Sequence, residues 1–158
     1  MNIVNYKPVG VIHSPFKERV GIPRQAVGAP EVSAKIEIFD EYIDGLSDLD
    51  GFSHIVVIFH MHLIQRSSLK ASPPWDNREH GVFSTCSPHR PNPIGISVVR
   101  LESIKRNILN ISCVDMADGT PVLDIKPYIP NLYPTEEIRT GWLKDNVQGM
   151  NKSKSGDR

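Results

Sequence analysis

The 158-residue chain lacks most of the features that place a protein quickly. It has no net charge, with 18 Lys and Arg against 18 Asp and Glu. This excludes a uniformly basic nucleic-acid coat and the like-charge excess of a disordered chain. Cysteines number only two, Cys86 and Cys113, too few for a disulfide framework. With no signal-peptide pattern at the start, a reducing cytoplasm is the simplest expected compartment. The longest apolar run, Ile55 to Phe59, is far shorter than the roughly 20 residues that span a bilayer, so no membrane role is expected. Absent too are G-x-G-x-x-G, a Walker loop, H-E-x-x-H and G-x-S-x-G. The common nucleotide, zinc-protease and hydrolase frameworks are thereby excluded.

What the chain does have is punctuation. Thirteen prolines and eleven glycines cut it into apolar stretches of strand length, rich in Val and Ile. Strands are expected at Val9–His13, Lys35–Phe39, His54–His60, Gly81–Ser84, Ile96–Leu101, Ile108–Val114 and Val122–Ile125. Ala34, Ile36 and Ile38 alternate with Lys35 and Glu37, the pattern of a half-buried strand. Ile55–Phe59 does not alternate and should be covered on both faces. A short helix is expected at Glu41–Leu46, and another helical turn over Pro134–Leu143 with Thr135 as its cap. This is a mainly β chain, and many short strands favour a small closed or nearly closed β-barrel, because closure removes exposed edges. One domain over 1–147 is expected, with a polar, unfolded tail over 148–158. Long loops over Ser14–Glu31, Ser67–His80 and Cys86–Pro93 are functional candidates.

Charge is uneven despite the zero sum. Residues 51–100 carry five Lys and Arg but two Asp and Glu, and five of the six histidines. His54, His60, His62, His80 and Cys86 have ligand chemistry for zinc, but their spacing matches no zinc pattern, so no metal is expected. The segment Cys86–Gly95 packs three prolines around His89, Arg90 and Asn92, holding polar side chains at little entropic cost. A bland rigid turn between two strands would explain the prolines alone. Asp118-Gly119 reads as a turn before a strand carrying Asp124 and Lys126 on one face.

Five motifs in order resemble the TsaA-like family, also called TrmO. They are GVIHSPFKE at 10–18, PRQ at 23–25, LDGFSHIVVIFHMH at 49–62, HRPNPIGISVVRL at 89–101 and DGTPVLDIKPY at 118–128. The resemblance runs from Val9 to about Pro130. It implies a small β-barrel, a homodimer, and methylation by S-adenosylmethionine of N6 in the threonylcarbamoyl-adenosine at tRNA position 37, beside the anticodon. Cofactor contacts implied by the resemblance fall on Pro23, Arg24, Gln25, His60, Met61, Ile96, Asp115, Met116, Ala117 and Asp118. The family pattern has an arginine where Cys86 stands, so Cys86 is a cofactor-site position with departed chemistry. The family's long bacterial form has a further C-terminal domain, whereas this chain is expected to stop soon after the barrel.

The chemistry suits these residue types. Arg24 can pair a carboxylate with two parallel bonds, and Asp115 can accept ribose hydroxyls. An exocyclic adenine amine is a poor nucleophile, so positioning and an acceptor for its protons carry the rate. Asn92, between Pro91 and Pro93, is the expected acceptor, and Asp118 or Asp124 the expected destination of the departing proton. His89, Arg90 and Lys126 are expected to touch the tRNA, Arg90 at a phosphate. Rival readings are a methyltransferase of the same fold acting on a small molecule, and a non-enzymatic S-adenosylmethionine-binding module.

Overall fold

Alternation of apolar and polar residues decides which strands make the wall of a barrel. In a computed structural model, which describes residues 2–18, 20–26, 30–134 and 136–144, eight strands form. They are β1 (Gly10–His13), β2 (Ser33–Ile38), β3 (His54–His60), β4 (Lys70–Ala71), β5 (His80–Gly81), β6 (Ile94–Lys105), β7 (Ile108–Ser112) and β8 (Pro121–Pro127). Six of them close in the order β1-β2-β7-β6-β3-β8, every pair antiparallel, and β4 with β5 forms a separate hairpin.

Inward-facing residues of successive strands meet in the interior. Ile12, Ile36, Ile55, Val57, Val99, Leu109 and Val122 are wholly buried there, with Ile111 and Met116. Each buried Ile, Leu, Val or Met side chain contributes about 1.5–3 kcal/mol relative to exposure. β6 is long because it serves two neighbours. Ile94–Arg100 pairs with β3, and Arg100–Lys105 pairs with β7. The register shift between Leu101 and Ser103 is where the strand turns the corner.

An antiparallel closed sheet sends alternate connections to opposite ends. The base holds the β2–β3 link, with its 3-10 segments Asp40–Leu46 and Leu49–Gly51, and the tight β6–β7 hairpin, where Arg106 takes a positive φ. The other end, the mouth, carries the three connections over 14–32, 61–93 and 113–120.

Expected and observed strands agree closely in the barrel, with end shifts of a few residues; Ile96–Leu101 lengthens to Ile94–Lys105. Three expectations are corrected. Only Gly81 of Gly81–Ser84 is strand, and Val82–Ser84 is a 3-10 turn, because Ser84 Oγ and Thr85 N–H return to the carbonyls of Gly81 and Val82. The loop Ser67–His80 is interrupted by β4, which pairs with β5. Over Pro134–Leu143 the only helical piece described is the 3-10 turn Gly141–Leu143; the expected cap, Thr135, and the expected tail at 148–158 lie outside the described residues. No helix among the described residues is long and apolar enough to cross a membrane.

One close approach is exacting. Phe59 and Gly95 are partners across β3 and β6, and the phenyl ring lies over the glycine so closely that a Cβ would run into it. Gly95→Ala should lower the unfolding free energy by about 1–3 kcal/mol in urea melts, the range for overpacking a full interior. Adding Phe59→Leu should recover part of the loss, since the two changes share one contact.

Candidate cofactor and acceptor site at the barrel mouth

The mouth is built by hydrogen bonds between its three connections. After β1, Ser14 N–H donates to Asp118 Oδ1 at 2.9 Å, and Ser14 Oγ donates to the Met116 carbonyl at 2.8 Å. Lys17 Nζ donates to Asp118 Oδ2 at 2.7 Å, and Asp118 N–H to the Phe16 carbonyl at 2.8 Å. Asp118 is therefore a latch between the first and third connections. Held by the Lys17 ammonium and the Ser14 N–H, its carboxyl lies below the usual carboxylate range. A carboxylate so held is a weak base.

Asp115 is the opposite case. Its Oδ1 accepts from Ser97 Oγ at 2.6 Å, and the Ala26 N–H also bonds to its carboxylate. Burial nonetheless pushes its pKa up to about 6. Through Ala26 this carboxylate holds the end of the Pro23-Arg24-Gln25 stretch against the mouth, so two segments far apart in sequence become one site.

The proline-rich loop docks from the other side. Met61 N–H donates to the Pro93 carbonyl at 2.8 Å, and Ile94 N–H to the Asn92 carbonyl at 2.7 Å, fastening the loop to the ends of β3 and β6. Arg90 Nη1 donates to the carbonyls of Thr85 (3.0 Å) and Ser87 (3.3 Å), so this guanidinium braces the turn that precedes it. Ser68 N–H reaches the His89 carbonyl, and His89 Nδ1 lies 3.1 Å from the Arg66 carbonyl. Asn92 and Cys86 are left exposed. His62 Nδ1 lies 3.4 Å from Thr120 Oγ1, joining the second connection to the third; burial, with His60 nearby, lowers the imidazole pKa.

Most of the expected site residues therefore share the mouth: Pro23, Arg24, Gln25, His60, Met61, Cys86, His89, Arg90, Asn92 and Asp115 to Asp118. Three do not face it. Asp124 and Lys126 project from the outer wall, where they pair with each other at 2.8 Å and flank Ile58 and Val56 of β3. Ile96 also points outward and is 67% exposed, opposite Ile58. Among the described residues no three His, Cys, Asp or Glu are grouped to hold a metal ion. Ser97 was not among the expected residues, although a serine at an inward position two before Val99 is a polar group in a core slot, which alternation exposes. Trp75, over which Arg24 lies, was also missed; its signal was one large aromatic in a polar loop.

A family model for the tRNA-methyltransferase O N-terminal domain matches residues 11–133. The chain belongs to that family. An S-adenosyl-L-methionine-binding protein of Archaeoglobus fulgidus is 46% identical over 126 residues, covering 80% of this chain and 90% of that protein. The tRNA (adenine(37)-N6)-methyltransferase of Escherichia coli is 36% identical over 140 residues, 82% of this chain and 60% of the enzyme. A crystal structure of TrmO from Pseudomonas aeruginosa superposes with a TM-score of 0.74 at 38% identity, over 89% of this chain and 63% of that one. The chain thus spans less than two-thirds of the Escherichia coli and Pseudomonas aeruginosa members of the tRNA-methyltransferase O family.

The two aspartates of the mouth should respond oppositely to pH. Asp115 has a folded pKa raised above its unfolded value of 3.8 to about 6, so the folded state holds its proton more tightly and is penalised once that proton is lost. The stability of Asp115→Asn relative to the parent should rise by about 2–3 kcal/mol between about pH 4 and pH 7, read in urea melts. Asp118 contributes stability above its unfolded pKa that is lost as pH falls, so Asp118→Asn should cost most at neutral pH and least in acid.

Proposed function

We propose that the chain transfers the methyl group of S-adenosylmethionine to N6 of the threonylcarbamoyl-adenosine at tRNA position 37. The observation that carries this reading is the convergence, at one barrel mouth, of the arginine-bearing 23–25 stretch, a carboxylate pinned by Ser97 and Ala26, and a proline-fixed asparagine. Relatives of the same family are named as S-adenosylmethionine-binding proteins and as tRNA (adenine(37)-N6)-methyltransferases.

The donor set fits the cofactor. A guanidinium at Arg24 suits its carboxylate, and the Asp115 carboxylate, with Ser97 and Ala26 on it, has acceptor capacity left for ribose hydroxyls. His60 and Met61 lie where β3 ends at the mouth, and Met116 and Ala117 follow Asp115 in the third connection. The bound cofactor supplies an electrophilic methyl on a sulfonium. Asn92 then orients the amine, accepting its N–H through Oδ1 while its amide is free to donate to the neighbouring carbamoyl group. As N6 gains the methyl it loses a proton, which leaves to solvent at the exposed mouth; Asp118 is too weak a base and Asp124 stands on the outer wall. His89 and Arg90 keep the loop in place beside the acceptor tRNA.

A homodimer belongs to the same proposal. Ile94, Ile96 and Val98 form an exposed apolar row along β6, continued by Ile58 of β3 and bordered by the Asp124–Lys126 pair. A contiguous outer-wall row of this kind suits a second copy.

The decisive assay is mass spectrometry of nucleosides from tRNA incubated with the protein and S-adenosylmethionine. One methyl on the modified adenosine is expected. Cofactor binding without methylation of any acceptor would support a binding module, and methylation of a small molecule alone would support the other rival. Asn92→Ala should lower the single-turnover rate by about a hundredfold while cofactor affinity stays within about twofold. Separately, Val98→Lys should convert a dimer to a monomer in light scattering; an unchanged dimer would put the interface elsewhere.

A further inference from the structure

The hairpin β4–β5 is not needed to close the barrel, yet its tip reaches the cofactor stretch. Lys70 pairs with Gly81 and Ala71 with His80, and residues 72–79 form the tip. Asp76 organises it: its N–H donates to the Pro73 carbonyl, and its carboxylate accepts from the Arg78 N–H at 2.9 Å and lies 3.0 Å from His80 Nε2. The Arg78 N–H and guanidinium hold that carboxyl down to about 2. Behind His80, the Trp142 ring stacks at 3.9 Å with an 18° tilt, and Trp142 Nε1 donates to the Ser84 carbonyl at 2.9 Å. A tip fastened at so many points presents Trp75 in a fixed orientation. The Arg24 guanidinium lies over the Trp75 ring, 5.8 Å from its centroid, within range of a cation–π contact. Among the described residues Trp75 Nε1 is buried with no hydrogen-bond partner, a cost that a phenylalanine at this position would avoid. The indole face is what the Arg24 guanidinium meets.

We infer that Trp75 is a positioning residue, an aromatic shelf that holds the Arg24 guanidinium in the orientation that receives the cofactor's carboxylate. This rests on the reading of Arg24 given under the proposed function. A planar guanidinium lying on a ring loses rotamer freedom before the ligand arrives, so less is lost on binding. The effect falls on affinity for the cofactor and leaves the methyl-transfer step at saturation untouched.

Calorimetric titration with S-adenosylmethionine tests this on the full chain. Arg24→Ala should weaken binding by about tenfold to a hundredfold. Trp75→Leu should weaken it by about twofold to fivefold, the fold-change a cation–π contact supports, with turnover at saturating cofactor unchanged. Trp75→Phe should bind between the parent and Trp75→Leu, and should melt no lower than the parent because the orphaned N–H is gone. In Arg24→Ala, adding Trp75→Leu should cost nothing further. The indole contribution to fluorescence, taken as parent minus Trp75→Phe, should change on Arg24→Ala without any ligand. If Arg24→Ala weakens binding but Trp75→Leu does not, or if the two losses simply add, the shelf is overturned. If the fluorescence shows the contact but Arg24→Ala binds the cofactor normally, the fault lies in the assignment of Arg24 to the carboxylate, and the positioning role falls with it.

Discussion

Closure of the sheet is the constraint on which everything else depends. The seam is short: Gly10 meets Val122, Val11 meets Pro121, and Val9, Ile12 and Gly119 extend it with backbone bonds. On the other side of β1, Gly10 lets β2 approach, since a Cβ there would strike the Glu37 carbonyl. Once β1 and β8 are joined, no strand of the barrel has a free edge, and alternate connections must emerge at the same end. The three connections of the mouth are neighbours because the strand count and direction leave them no other place.

That geometry explains why a chain without net charge can carry a charged site. Ionisable groups are sorted locally. Lys17 and the Ser14 N–H keep Asp118 ionised as a latch, whereas Asp115, behind Ser97, is disfavoured in its charged form. Two aspartates three residues apart have opposite electrostatic situations, and opposite uses follow. Asp118 latches the first connection to the third; Asp115, which clasps Ser97 and Ala26, is the carboxylate that the proposed function assigns to the ribose hydroxyls.

Much of this was legible in the residues. Period-two alternation in 34–38 reported a strand buried on one face; the unbroken apolar run 55–59 reported a strand too, but its expected cover on both faces is incomplete, since Ile58 on the outer wall is only partly buried. The long loops were legible from Pro and Gly density, and all three lie at the mouth. The segment Val82–Ser84 was misread because apolar Val82 and Phe83 resemble a strand start, while the local bonds from Ser84 and Thr85 to carbonyls three residues back, which curl it, leave no period in the sequence. Asp124 and Lys126 were correctly placed on one face, but parity along β8 cannot say whether that face is the mouth side or the outer wall; only the pairing with Ile58 and Val56 decides it. Trp75 escaped because its meaning lies in Arg24, some fifty residues earlier.

The β1–β8 seam also separates two kinds of variation. β1 starts and β8 finishes at the base, so polypeptide on either side of the barrel enters and leaves through the end remote from Asp115 and Asn92. Length can be gained or lost before β1 without shifting a strand's register, whereas beyond β8 the chain returns to the hairpin, where Trp142 stacks on His80 and donates to the Ser84 carbonyl. The entry to the barrel is thus insulated from the mouth, while the exit is tied back to it through the hairpin that carries Trp75.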